Sequence, residues 1–148
     1  MSDRQVIERV FNAPIDAVWA LWTSAEGIAS WFGPRGFQVE VTRLDLEPGG
    51  AFVYTMNATD PERIAAMGKQ GRPPSWAVES TITEVDPPNK FVYDSPRGPE
   101  TMTTSAEFSE VPEGVKLVLM ISATKDGMVG GAAMGFESSL DRFAEALA

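Results

Sequence analysis

The chain has 148 residues and a mass of 16.0 kDa, the size of one domain. Its 43% hydrophobic and 22% charged side chains exclude wholesale disorder. Twelve basic against 21 acidic residues leave a net charge of −9, which excludes nucleic acid or an anionic membrane as the main partner, because both are held by clustered Lys and Arg.

The first segment, residues 5–11, sets Val6, Ile7, Val10 and Phe11 among charges and reads as a strand that stops at Asn12-Ala13-Pro14. A helix is expected from there, since Pro14 suits a first turn, Asp16 complements the helix dipole, and Val18, Leu21 and Trp22 recur at helical spacing. Ser24 reads as the N-cap of a second short helix ending near Trp31 and Phe32. From Phe37 the period changes to two, with Val39 and Val41 on one face and Gln38 and Glu40 on the other. The parity then slips toward Leu44 and Leu46, which predicts a bulge near Thr42 and Arg43. Pro48-Gly49 reads as a type II turn into a strand carrying Phe52, Tyr54 and Met56.

Residues 57–75 are polar and rich in Gly and Pro, and read as a surface loop holding one helical turn at 61–67. Four further strands are expected at 76–85, 91–95, 101–109 and 115–123, joined by turns too short for crossover helices, so the sheet is an antiparallel meander. Residues 127–135, with Gly130-Gly131, read as a flexible connection; they lack the Lys-Ser/Thr of a phosphate loop. Phe136, Leu140, Phe143 and Leu147 then mark one stripe of an amphipathic helix. The expected architecture is α+β, with a sheet of about seven strands curled around the long C-terminal helix.

Function is first narrowed by absences. Without Cys or His there is no disulfide, thiolate nucleophile, Ser-His-Asp triad or imidazole metal site. No cofactor is implied. The alternation of Glu79, Glu84, Asp94 and Glu107 with apolar neighbours places most of these carboxylates outward, and the inward polar candidates are Ser80, Thr104 and the hydroxyls of Tyr54 and Tyr93. The N-terminus shows no signal pattern and the longest aliphatic run, 117–121, is too short for a bilayer, so a cytoplasmic protein without membrane insertion is expected. Eight acids stand against two bases between Glu79 and Glu113, as a solvated outer sheet face or a docking surface for a basic partner.

The segments FNAPIDAVWALWT (11–23), WFGPRGF (31–37), DLEPGGAFVYTM (45–56) and EVDPPNKFVY (84–93) resemble the START-like (SRPBCC, Bet v 1-like) superfamily. Within it they resemble the group related to the C-terminal domain of the heat shock protein 90 ATPase activator. The closing MGFESSLDRFAEAL (134–147) is similar to that group's last helix, with Phe136 where Trp is more usual. The resemblance implies a single helix-grip domain over residues 1–148 with a mostly apolar cavity between sheet and helix.

Three functions follow as expectations. The first is non-catalytic binding of a small hydrophobic or aromatic molecule, with Trp31, Phe52, Tyr54, Trp76, Tyr93, Met102 and Phe136 as walls, because large aromatics and adaptable Met line such pockets. Arg35, in the WFGPRG loop, is the polar anchor of that reading, or else a solvent-facing residue of a chain reversal. The second is an interaction module regulating a heat shock protein 90-type chaperone ATPase, docked through the acidic sheet face. The third is a polyketide-cyclase-like enzyme, disfavoured by the missing His and Cys.

Overall fold

The structure, a computed structural model, describes residues 3–33, 36–97, 100–123 and 129–147. The described elements are, in chain order, β1 (Asp3–Phe11), α1 (Ile15–Thr23), α2 (Ala25–Trp31), β2 (Phe37–Leu44), β3 (Ala51–Ala58), α3 (Pro61–Lys69), β4 (Ser75–Asp86), β5 (Lys90–Arg97), β6 (Glu100–Val111), β7 (Gly114–Ala123) and α4 (Val129–Leu147). The strands form one antiparallel sheet in the order β1-β7-β6-β5-β4-β3-β2. It curves around α4, with α1 and α2 closing one end: the expected helix-grip architecture.

Local chemistry accounts for the element boundaries. The Ser24 hydroxyl accepts from the Gly27 N–H at 3.0 Å, capping α2 one residue after α1 ends. Gly27 permits that abrupt corner, since a Cβ there would come within 2.8 Å of the Leu21 backbone. The β2–β3 register shifts between Val41 and Arg43, the bulge announced by the parity slip. The turn after Pro48 is hooked to β4 by Gly49 N–H donating to the Ile82 carbonyl at 2.7 Å and Ile82 N–H donating to that of Gly50 at 2.8 Å.

Every second residue of β7, from Val115 to Ala123, is buried, as are Phe52 and Tyr54 of β3 and Phe91 and Tyr93 of β5. Phe136, Leu140 and Phe143 of α4 close onto this inner face. Arg9 of β1 reaches Glu137 at 2.8 Å and Asp141 at 3.0 Å, clipping the first strand to the last helix. The hydrogen bond to Glu137 holds the guanidinium above its ordinary value, reinforced by Asp141 against the cost of partial burial.

Two expectations are corrected. Residues 57–75 hold nine-residue α3 rather than one turn. Residues 127–135 are not a flexible connection as far as they are described: α4 begins at Val129 and runs through Gly130, Gly131 and Gly135, while 127 and 128 lie outside the described residues. Glycine costs roughly 1 kcal/mol in a helix interior, and burial of the Phe136, Leu140 and Phe143 stripe outweighs it.

Candidate functional site

The inner face of the sheet carries an aromatic cluster rather than an open chamber at its α2 end. Trp31 lies 4.5 Å from Trp22 and 4.9 Å from Phe143, ring centre to ring centre, and its indole N–H donates to the Leu21 carbonyl at 2.8 Å. Phe32 joins Tyr54 at 5.1 Å and Phe136 at 5.8 Å, and Phe52 joins Tyr54 at 5.0 Å and Tyr93 at 5.2 Å. The contacts are mostly edge-to-face, the favourable arrangement for ring quadrupoles. Among Trp22, Trp31, Phe32, Phe52, Phe91 and Tyr93 the space left for a water-sized occupant is ≈ 0 Å³.

Five of the expected wall residues, Trp31, Phe52, Tyr54, Tyr93 and Phe136, thus belong to one connected ring network. Met102 is buried on β6 at 4% exposure. Trp76 stands apart, against Phe37 at 5.7 Å. Arg35 lies outside the described residues. The cation described at the α2–β2 junction is Arg142 of α4. It donates to the carbonyls of Gly33 at 3.0 Å, Phe37 at 3.3 Å and Phe32 at 3.4 Å, serving carbonyls that the end of α2 and the start of β2 leave over.

The inner face carries few polar atoms. The Ser80 and Ser95 hydroxyls share a buried hydrogen bond of 2.8 Å. Thr104, opposite Tyr93 in the β5–β6 register, is 1% exposed and its hydroxyl has no partner among the described residues. Both Ser80 and Thr104 face inward as their parity predicts; Ser95 is an addition. None of the buried side chains described is a carboxylate, and no described group of three His, Cys, Asp or Glu could hold a metal. The acids occupy the other face: Glu79, Glu84 and Glu107 are exposed, Lys90 bridges Glu84 at 3.1 Å and Glu107 at 3.6 Å, and Thr103 donates to Asp94 at 2.6 Å.

A family model described as activator of Hsp90 ATPase homolog 1-like protein matches residues 12–148. The chain belongs to that family. No curated protein matches it significantly. Among solved structures, a protein from Chromobacterium violaceum superposes with a TM-score of 0.81 at 21% identity, covering 97% of this chain and 96% of that one. A protein from Nitrosomonas europaea gives 0.80 at 21%, covering 97% and 93%. The AHSA1-like protein from Aeromonas hydrophila gives 0.74 at 23%, covering 97% and 90%. At these identities the likeness concerns the fold alone. No described helix is long and apolar enough to cross a membrane.

Around Trp76 lies a feature that sequence reading missed. Phe37, Met56, Arg63, Met67, Arg72 and Trp76 line a pocket of ≈ 250 Å³ beneath α3. Asp60 caps α3 by accepting from the Glu62 N–H at 3.1 Å, and Pro61 opens its first turn. One turn apart, Arg63 and Met67 share a face. At the other end Gly71, at φ +71°, donates to the Gly68 carbonyl at 3.1 Å and Arg72 donates to that of Met67 at 2.9 Å. This reversal, which favours glycine, brings Arg72 back beside Met67. The run Asp60-Pro61-Glu62 and the stop at Gly71 are helix signals legible in the sequence.

Proposed function

We propose that this chain is a protein-interaction module that regulates a heat shock protein 90-type chaperone ATPase, acting as one START-like unit. The observation that carries the reading is the family match over residues 12–148. The closed ring cluster supports it, because side chains that fill one another's space serve to hold a rigid surface. The acidic outer face of β4 to β6 is the docking surface of this reading, suited to a basic patch on the partner. The test is the ATPase rate of a purified bacterial chaperone of this type, with and without the protein, at low and at physiological salt. Expected are a changed rate, weaker binding as salt rises, and loss of the effect in Glu79→Lys/Glu107→Lys. No binding at low salt, or an unaltered rate in its presence, would sink the reading.

A second reading has one observation in its favour. The Thr104 hydroxyl, without a partner among the described residues, is the kind of group a bound molecule satisfies. In this reading a small hydrophobic molecule lies between sheet and α4 against Met102, Tyr93 and Phe136, with Trp31, Phe52 and Tyr54 as further walls and Arg35 as anchor, while Trp76 belongs to the separate pocket beneath α3. Native mass spectrometry followed by thermal-shift screening tests it. Thr104→Val would then abolish a shift seen with the unaltered protein; equal shifts in both would remove the role of Thr104.

A further inference from the structure

We infer that the pocket beneath α3 binds a small planar organic anion, an aromatic carboxylate of one or two rings. Its apolar lining residues are Phe37, Trp76, Met56 and Met67. The polar residues among its described lining are Arg63 and Arg72, and none of the described lining residues is a carboxylate. That is unusual in a chain with 21 acids to 12 bases. Elsewhere in the described structure Arg9 and Arg43 each pair with a carboxylate, whereas neither Arg63 nor Arg72 has one within ion-pair distance among the described residues.

Arg63 lies over the Phe37 ring, 5.2 Å from its centre, which fixes a flexible side chain against the wall. Gly36 leaves room for this, since a Cβ there would come within 3.1 Å of the Arg63 Nε. The guanidinium plane presents paired N–H donors that match a carboxylate. The volume suits the class: about 150 Å³ holds a benzene ring, so ≈ 250 Å³ admits one or two fused rings bearing a carboxylate. A purely apolar ligand would leave two cations beside it without a counter-charge, and inorganic phosphate would leave Trp76, Met56 and Met67 unused.

The site is separate from the acidic sheet face and does not depend on the chaperone reading. Its test contains no chaperone, so the two stand or fall separately. The full chain is titrated with 1-naphthoate and, in parallel, with neutral 1-naphthalenemethanol, followed by calorimetry and by the Trp76 indole N–H resonance. Expected are saturable one-to-one binding of the acid that moves this resonance, an affinity about tenfold above that of the alcohol, and a loss of roughly five- to tenfold in each of Arg63→Gln and Arg72→Gln for the acid only. Melting temperatures of both variants establish that they fold, and Arg63→Lys and Arg72→Lys, which keep the charge but not the fork, fall between. Absence of saturable binding, equal affinity for acid and alcohol, or indifference to both glutamine variants overturns the assignment.

Discussion

Arg142 shows how much one side chain can settle. Its guanidinium serves three carbonyls at the junction of α2 and β2, and losing it leaves half-buried acceptors without donors. Arg142→Met keeps most of the apolar stem and is expected to cost about 2 kcal/mol, the range for hydrogen bonds to a charged donor, read as a lower urea midpoint with an unchanged slope. Lys90 makes a prediction about pH. The hydrogen bond to Glu84, helped by the charges of Glu84 and Glu107, holds its ammonium above the ordinary 10.5. A raised value means that the stabilisation is complete below the unfolded-state value and disappears as pH rises through the folded one. The stability difference between the unaltered protein and Lys90→Met should therefore stay constant from pH 6 to 9 and vanish only in strong alkali. The Arg142 contacts were not legible in the sequence, because Arg142 and Gly33 lie 109 residues apart and spacing rules speak only for near neighbours.

Elements were legible where a local rule decides. The Ser24 cap, the bulge by Thr42 and the meander strands follow from side-chain chemistry and parity within a few residues. Reading fell short where glycine and proline invite a loop while a cap or a buried stripe rescues a helix, as in α3 and the start of α4. Gly135 makes this testable, because a Cβ there would meet nothing within 4 Å. Gly135→Ala should stabilise the protein by about 1 kcal/mol, visible as a higher midpoint in denaturant. The candidate walls divide in the same way. Alternation put Phe52, Tyr54 and Tyr93 on the inner face, but periodicity cannot report that neighbouring rings consume the space between them, nor that Trp76 belongs with two arginines.

At the scale of the molecule, the charge of −9 is spread over a surface with few bases to offset it, and self-repulsion opposes compactness. Raising salt from 10 to 200 mM should lift the melting temperature by roughly 3 °C, the shift that about 1 kcal/mol produces in a domain of this size; an unchanged or lower value would mean that the described ion pairs matter more than the repulsion.

The strand order has a further consequence for biosynthesis. Among the strands of this sheet β1 leaves the ribosome first, yet its neighbour is β7, with Asp3 opposite Ala123, and the Arg9 clip needs α4. At usual elongation rates the N-terminal strand waits on the order of 10 s for its partner, while β2 to β6 can already pair hairpin by hairpin. During that interval Val6, Ile7, Val10 and Phe11 lack their sheet partner, and the interleaved charges of Arg4, Glu8 and Arg9 disfavour pairing with a wrong strand.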